Sequence, residues 1–300
     1  MILKIKKRRF YFAIIAAILF LAILLVSAKL NKNSISLDKN SFLVINSKNK
    51  VNYRISLYED NVDYTIKKII YDSFGKEIYG FLVLPKQNNN LPGIVLLPGA
   101  GVDKKSELPL AIKLAQQGYA VITIDQRGIG ETGGDVPSLE EDLNAYLKES
   151  YAVQHLMAAD ALAAKDALKE QKNVNPDKII MMGESLGGRI ALISAAISKD
   201  IKGVIAISAA GFHYSWGNDD KSRFIKSIDP DNYIFGISPR KLFMFHNSYD
   251  RNVPFDSALM TFNKAEEPKE FILINDTKCN HGFCDSMFKD INSSLASMAR

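Results

Sequence analysis

Apolar residues recur along the chain in two rhythms. Tyr53-Arg54-Ile55-Ser56-Leu57-Tyr58 and the stretch 64–71 alternate with polar neighbours, and the turn Asp72-Ser73-Phe74-Gly75 leads into the next strand, 78–85. A period of two in close succession predicts an antiparallel opening. From Gly93 the rhythm changes. The runs 93–97 and 119–124 have the continuous apolarity of strands buried on both faces, and 179–182, 203–208, 241–246 and 270–274 read as further strands. Helical stretches separate them, over 108–117, 140–147, 153–169 (apolar at 153, 156, 157, 164 and 168), the residues after 188, 254–264 and 285–298. That alternation predicts a mostly parallel central sheet with helices on both faces. Residues 209 to 238 fit neither rhythm. They hold Phe212, Tyr214, Trp216, Phe224, Tyr233 and Phe235 and are expected to form a small lid.

The N-terminus has a pattern of its own. Residues 10 to 26 carry no charge and are extended by Ser27 and Ala28. As a helix the uncharged run spans about 26 Å, close to a hydrocarbon core of about 30 Å. Lys4, Lys6, Lys7, Arg8 and Arg9 precede it, against Lys29 and Lys32 after it, which predicts an N-terminus in the cytoplasm and the remainder outside. Val26-Ser27-Ala28 also fits a signal-peptide cleavage site, although the run is longer than such peptides need. The expected organisation is a basic cytoplasmic segment (1–9), a transmembrane signal anchor (10–28), an Asn-, Lys- and Ser-rich linker (29–50) whose one apolar patch is Phe42-Leu43-Val44-Ile45, and a globular domain (51–300). On this reading the protein sits in the cell membrane as a single-pass protein with its globular domain extracytoplasmic, or is secreted after cleavage near Ala28.

Composition adds little to this. With 300 residues, 47% of them hydrophobic and 24% charged, the chain is long enough for one large α/β domain. The net charge of +5 is concentrated in the N-terminal cluster, so no nucleic-acid surface is implied.

The chemistry centres on Gly183-Glu184-Ser185-Leu186-Gly187, set between an apolar strand and a helical stretch. This is the pattern of a nucleophile elbow, in which a tight strand-to-helix turn pushes the serine out at the carboxyl edge of a sheet. A serine hydroxyl needs a base within reach and a carboxylate to orient that base. Of the four histidines, His155 falls inside a helix pattern, His213 in the aromatic segment and His246 at a strand end; His281 stands in a loop after the last strand, best placed to reach over the sheet edge. Asp250, in the loop after strand 241–246, is the acid expected to serve it, with Asp276 as runner-up. An oxyanion requires preorganised N–H donors. Leu186, at the helix start, and Ala100, in Pro98-Gly99-Ala100-Gly101 after strand 93–97, are the expected pair. The glycine-rich loop Asp125 to Gly134 lacks the Lys-Ser/Thr pair of a phosphate-binding loop and the acidic partner of a dinucleotide site, so it is read as one wall of the pocket, with Arg127 bonding locally. The two cysteines, Cys279 and Cys284, flank His281 without matching a zinc spacing; outside the cytoplasm they could form a disulfide that pins the histidine loop.

Residues 64 to 298 resemble the α/β-hydrolases of the dienelactone-hydrolase and prolyl-oligopeptidase-like group. The resemblance rests on the strand 79–85, Leu97-Pro98-Gly99-Ala100-Gly101, Asp125-x-Arg127-Gly128-x-Gly130-x-Thr132-x-Gly134, Gly183-Glu184-Ser185-Leu186-Gly187-Gly188, Asp250-x-x-Val253-Pro254 and His281. It implies an α/β-hydrolase fold over 51–300 with Ser185, Asp250 and His281 as nucleophile, acid and base, Ala100 and Leu186 as oxyanion donors, and neither metal nor cofactor. Pro98 stands where the group usually has a histidine, and Ser185 where dienelactone hydrolases carry cysteine, so dienelactone chemistry is not implied. The expected function is hydrolysis of a carboxylic ester through an acyl-enzyme, on a small-molecule or short-peptide acyl substrate. The alternatives are a peptidase or amidase, and a non-catalytic binding domain at the membrane surface.

Overall fold

The structure is a computed structural model that describes residues 33–47, 50–86, 89–149, 151–214, 217 and 219–299. The apolar run expected to anchor the chain, 10–28, lies outside the described residues, as does Trp216. Among the described residues no helix is long and apolar enough to cross a membrane. The chain falls into two units, Met1–Ser34 with Ile45–Lys50, and Ile35–Val44 with Val51–Arg300. In the first, Asn46 Nδ2 donates to Ser34 Oγ at 3.5 Å.

The segment expected to be a linker contains two strands, β1 (Ser34–Leu37) and β2 (Leu43–Asn46), which pair with each other. Asp38 organises the turn between them, its carboxylate accepting the N–H groups of Asn40 and Phe42 at 2.8 and 2.9 Å. The apolar patch explains why residues 35–44 belong to the second unit. Leu43 N–H donates to the Tyr233 hydroxyl at 2.8 Å, and the Phe42 ring meets Tyr233 edge-on at 5.3 Å. A polar composition thus concealed one anchored turn.

The rest of the second unit follows in order: β3 (Tyr53–Asp60), β4 (Tyr64–Ser73), β5 (Lys76–Pro85), β6 (Leu91–Leu97), α1 (Leu108–Gln116), β7 (Ala120–Ile124), α2 (Leu139–Glu149), α3 (Val153–Lys169), β8 (Val174–Glu184), α4 (Leu186–Ile197), β9 (Gly203–Ile207), α5 (Asp220–Ile228), β10 (Lys241–Asn247), α6 (Phe255–Asn263), β11 (Lys269–Ile274) and α7 (Phe288–Ala299). The sheet order is β11-β10-β9-β8-β6-β7-β5-β4-β3. β6 to β11 run parallel, while β3, β4 and β5 are antiparallel, with β5 joining β7. Apolar alternation thus marks β3 and β4, whereas β5 is as continuously apolar as the parallel strands although it runs antiparallel to both neighbours.

Ile94, Leu96, Val121, Ile180, Met182 and Ile205 point to one face, where they pack with Leu110 and Leu114 of α1 and Ile291 and Leu295 of α7. The other face is covered by α3 and α4, which touch each other and the strands β6 and β8. The alanines of α3, at 158, 161, 164 and 167, are buried there, and their small side chains allow the helix a close approach. β6 starts the parallel half, with β7 on one side and β8 on the other. Such a reversal leaves a crevice at the carboxyl ends of the strands, where α/β sheets hold their ligands.

The aromatic segment 209–238 is more ordered than its sequence suggests. α5 starts at Asp219, whose carboxylate accepts the Ser222 N–H at 2.7 Å, and Phe224 packs on Tyr146 of α2 with ring centroids 5.7 Å apart. His155 joins α3 to α5 through Nε2 and Ser227 Oγ at 2.7 Å, and burial depresses its pKa to about 4, so the ring is neutral. His213 pairs with Asp231 at 2.8 Å, and His246 Nε2 lies 3.0 Å from the Val253 carbonyl.

Arg127 does not bond locally. Its guanidinium donates to both oxygens of Asp160 on α3, at 2.7 and 2.9 Å, and to the Ser73 carbonyl at 2.8 Å. Asp160 is only 1% exposed. The sequence expectation failed because the partner lies on a helix packed beneath the loop, where nothing in the local sequence points to it. Removing one partner of a buried ion pair strands the other charge and costs about 3–5 kcal/mol. Arg127→Ala is expected to lower stability by about 3 kcal/mol, read as a fall in the urea midpoint at pH 7 with an unchanged denaturant slope. A loss below about 1 kcal/mol would remove the pair from the determinants of stability.

Candidate active site

The elbow is built by close approach. A Cβ at Gly183 would strike the backbone of Gly187, and one at Gly187 would strike the Leu97 carbonyl. Only glycine fits at either position. The turn between them places Ser185 at φ +50° and ψ −116°, a strained conformation for a residue with a side chain. Two backbone bonds hold it there: Ser185 N–H donates to the Ile207 carbonyl at 2.9 Å, and the Ser185 carbonyl accepts the Arg189 N–H at 3.0 Å.

Because β6 and β8 are neighbours with Leu97 opposite Gly183, the loop after β6 arrives beside the elbow. A Cβ at Gly99 would lie 3.5 Å from that of Ser185. Ala100, Ser185 and Leu186 line the same cavity. Leu186 begins α4, where backbone N–H groups have no partner within the helix. The loop after β6 is held from below. Gln126 Nε2 donates to the Pro98 carbonyl, and Lys104, with its side chain 2% exposed, pairs with Asp125 at 2.5 Å and Glu131 at 2.8 Å. Hydrogen bonds from Lys104 and Lys68 depress the Glu131 pKa to about 2. The glycine-rich loop thus supports the loop after β6. The adjoining Val136 and Pro137 form the pocket wall.

His281 and Asp250 meet across two strand-end loops. His281 Nδ1 lies 3.0 and 2.9 Å from the two Asp250 oxygens, and since a carboxylate only accepts, that nitrogen carries the proton and Nε2 is left as the basic position. Burial raises the Asp250 pKa, but hydrogen bonds from His281, Val253, Ser208 and Asn252 outweigh it and hold the group below its ordinary value. Asp276 takes no part in this contact. Its carboxylate accepts the Lys278 N–H at 2.9 Å and caps its own turn.

Several residues that motif reading passed over hold the histidine loop. Asn247 Nδ2 donates to the carbonyls of Asp276 and Cys279, at 2.9 and 2.6 Å, and its Oδ1 accepts the Asp276 N–H at 3.1 Å. Ser208 Oγ accepts the Gly282 N–H at 3.1 Å and donates to Asp250, tying the histidine loop and the Asp250 carboxylate to the end of β9. A serine closing the run Gly-Val-Ile-Ala-Ile was the available signal. Glu184, inside the elbow itself, accepts the Phe283 N–H at 2.9 Å. Cys279 and Cys284 form a disulfide with Cα atoms 6.0 Å apart, enclosing His281. Among the described residues no cluster of three or more His, Cys, Asp or Glu side chains could hold a metal ion.

The cavity above Ser185 has a volume of about 480 Å³ and is lined mainly by apolar groups, including Val136, Met157, Phe212 and Val253. Asp142, Gln154 and Arg189 supply its polar side. Arg189 lies 4.0 Å from the centre of the Phe212 ring and bonds Gln154 at 3.1 Å; burial lowers its pKa to about 10, so it stays charged.

Residues 44–215 match the acetyl xylan esterase (AXE1) family. The uncharacterized protein YfhR of Escherichia coli O157:H7 is 26% identical over 204 residues, and the match spans 66% of this chain and 66%, just under two thirds, of that relative. Two solved structures share the fold: an acetyl xylan esterase from Paenibacillus sp. R4 (TM-score 0.71, 20% identity, 83% of this chain and 90% of that one) and acetyl xylan esterase 1 from Thermoanaerobacterium sp. JW/SL YS485 (TM-score 0.65, 15% identity, 84% and 88%). With the family match covering more than half of a chain that carries an elbow at a sheet switch point, the chain belongs to the acetyl xylan esterase (AXE1) family of α/β-hydrolases.

Proposed function

We propose that the protein hydrolyses a carboxylic ester through a covalent acyl-enzyme, with Ser185 as nucleophile, His281 as base and Asp250 as the acid that orients it. The observation that carries this reading is the contact of His281 Nδ1 with both Asp250 oxygens, formed by loops at the same sheet edge as the strained Ser185. Ser185 Oγ attacks the carbonyl carbon as its proton passes to His281 Nε2. The N–H groups of Leu186 and Ala100 stabilise the oxyanion, and one such donor is worth about 3–4 kcal/mol. His281 then protonates the leaving alcohol, and a water activated by the same nitrogen releases the acid.

The family supports an acyl ester of a hydroxylated compound as substrate. An acetyl group would fill little of a 480 Å³ cavity with apolar walls, which supports acyl groups longer than acetyl or a bulky leaving group as well. We also assign the protein to the cell membrane, anchored by residues 10–28 with the hydrolase outside. The hydrophobic run behind basic residues supports this, as does a disulfide, which persists in oxidising compartments.

Ser185→Ala is expected to abolish fluorophosphonate labelling and lower kcat on p-nitrophenyl acetate by about ten-thousand-fold or more, and Asp250→Asn by about a thousand- to ten-thousand-fold through loss of the correct imidazole tautomer. Labelling that persists in folded Ser185→Ala protein would reject the assignment. Across p-nitrophenyl esters, kcat/KM is expected to be at least as high for butyrate as for acetate; a steep fall beyond acetate would contradict the pocket argument. Protein recovered from the membrane fraction should present no titratable thiol until reductant is added, whereas two free thiols beforehand would count against both the disulfide and the compartment.

A further inference from the structure

Two carboxyl groups lie next to the nucleophile, and the acyl-transfer steps above use neither. Glu184 precedes Ser185, and Glu107 stands immediately before α1 and is only 4% exposed. Their side chains share a hydrogen bond. On its other side Glu184 faces the histidine turn: its Oε2 accepts the Phe283 N–H at 2.9 Å, and a Cβ at Gly282 would strike that same oxygen. Gly282 has φ +78°, so both its conformation and the closeness of Glu184 require glycine there. α1 grips the turn a second time, where Lys113 Nζ lies 5.9 Å from the centre of the Phe283 ring and pairs with Asp285 at 2.5 Å.

We propose that Glu184, backed by Glu107, is a positioning residue that pins the His281-Gly282-Phe283 turn against the nucleophile elbow. This rests on the assignment of Ser185 and His281 to acyl transfer. The groups that act on the pair from the turn are the His281 ring and the Phe283 amide; of the nearest cations in sequence, Lys113 of α1 is engaged with Asp285, and Lys104, in the loop before α1, with Asp125 and Glu131. Glu107 is buried and Glu184 half-buried, and two adjacent carboxylates so shielded from water repel, so one must keep its proton. Burial first, and then the neighbouring Glu184, push the Glu107 pKa up to about 9. Glu107 is therefore the acid that donates, and Glu184 the carboxylate that accepts from it and from Phe283. Burial raises the Glu184 pKa as well, against the opposing pull of the Phe283 amide, His281 and Glu107. When Glu107 ionises at alkaline pH, its hydrogen bond to Glu184 is lost and the turn loosens.

The test compares Glu184→Ala, Glu184→Gln and Glu107→Gln with the wild type in p-nitrophenyl acetate hydrolysis from pH 6 to 10.5, and by amide hydrogen exchange of the peptide spanning 280–284. Glu184→Ala should lower kcat at least tenfold with KM changed less than threefold, and should speed exchange at Phe283. Glu184→Gln, which keeps an acceptor for that amide, should recover part of both, and it decides the question if the alanine variant does not fold. Wild-type kcat/KM should fall above about pH 9, and the pH 10-to-pH 8 ratio should be at least threefold higher in Glu107→Gln. The proposal is overturned if Glu184→Ala keeps kcat within twofold with exchange unchanged, or if the alkaline limb of Glu107→Gln superimposes on the wild type. Wild-type protein that neither turns over ester nor labels with fluorophosphonate would instead reject the role of Ser185, and the exchange data would still decide whether Glu184 holds the turn.

Discussion

The pairing of β6 with β8 is the contact on which the rest of the site depends. It sets Leu97 opposite Gly183, so the two strands end together and their following loops share one space. The backbone of the elbow then passes close enough to Leu97 that residues 183 and 187 cannot carry a side chain. A shift of register would bring Ala100 and Ser185 out of the same cavity. The strain at Ser185 is held by its bonds to the Ile207 carbonyl and the Arg189 amide, so β9 and α4 sustain a conformation that the residue would not adopt alone.

The histidine loop has a different kind of support. Residues 275–284 form no strand or helix, and what positions them is a set of polar contacts drawn from four parts of the fold: Asn247 at the end of β10, Ser208 after β9, Glu184 at the elbow, and the disulfide within the loop. A loop cannot be placed by apolar burial alone, because its backbone donors and acceptors need partners. Here those partners are side chains attached to strand ends, so the precision of the sheet is passed to His281 and Asp250.

Buried charge follows the same logic below the catalytic edge. Lys104 is tied to Asp125 and Glu131, and Arg127 to Asp160, so that the loop after β6, the glycine-rich loop and α3 are joined by ion pairs, of which Lys104–Asp125 and Arg127–Asp160 have little access to water. Such pairs add little net stability compared with apolar packing, but each accepts only its own geometry, which fixes the direction of the loop beside Ser185.

The sequence was legible where a local pattern carried the signal. Continuous apolar runs marked β5 to β11, alternation marked β3 and β4, and Gly-x-Ser-x-Gly between strand and helix marked the elbow, because periodicity and glycine placement are properties of neighbours in the chain. It was less legible where partners are distant. The hairpin at 34–46 was hidden in a polar stretch because its anchor, Tyr233, lies far along the chain. Arg127 had no local partner to find, and Asp160 reads in the sequence as one more charge on a helix. Glu107 and Glu184 stand far apart in the chain, and only folding makes them a pair. The amino-acid sequence by itself determined the elements, their order and the residue types available for chemistry. The tertiary structure alone decided which of those residues meet, because hydrogen bonds and ion pairs between strand-end loops depend on strand order and register, which local composition does not encode.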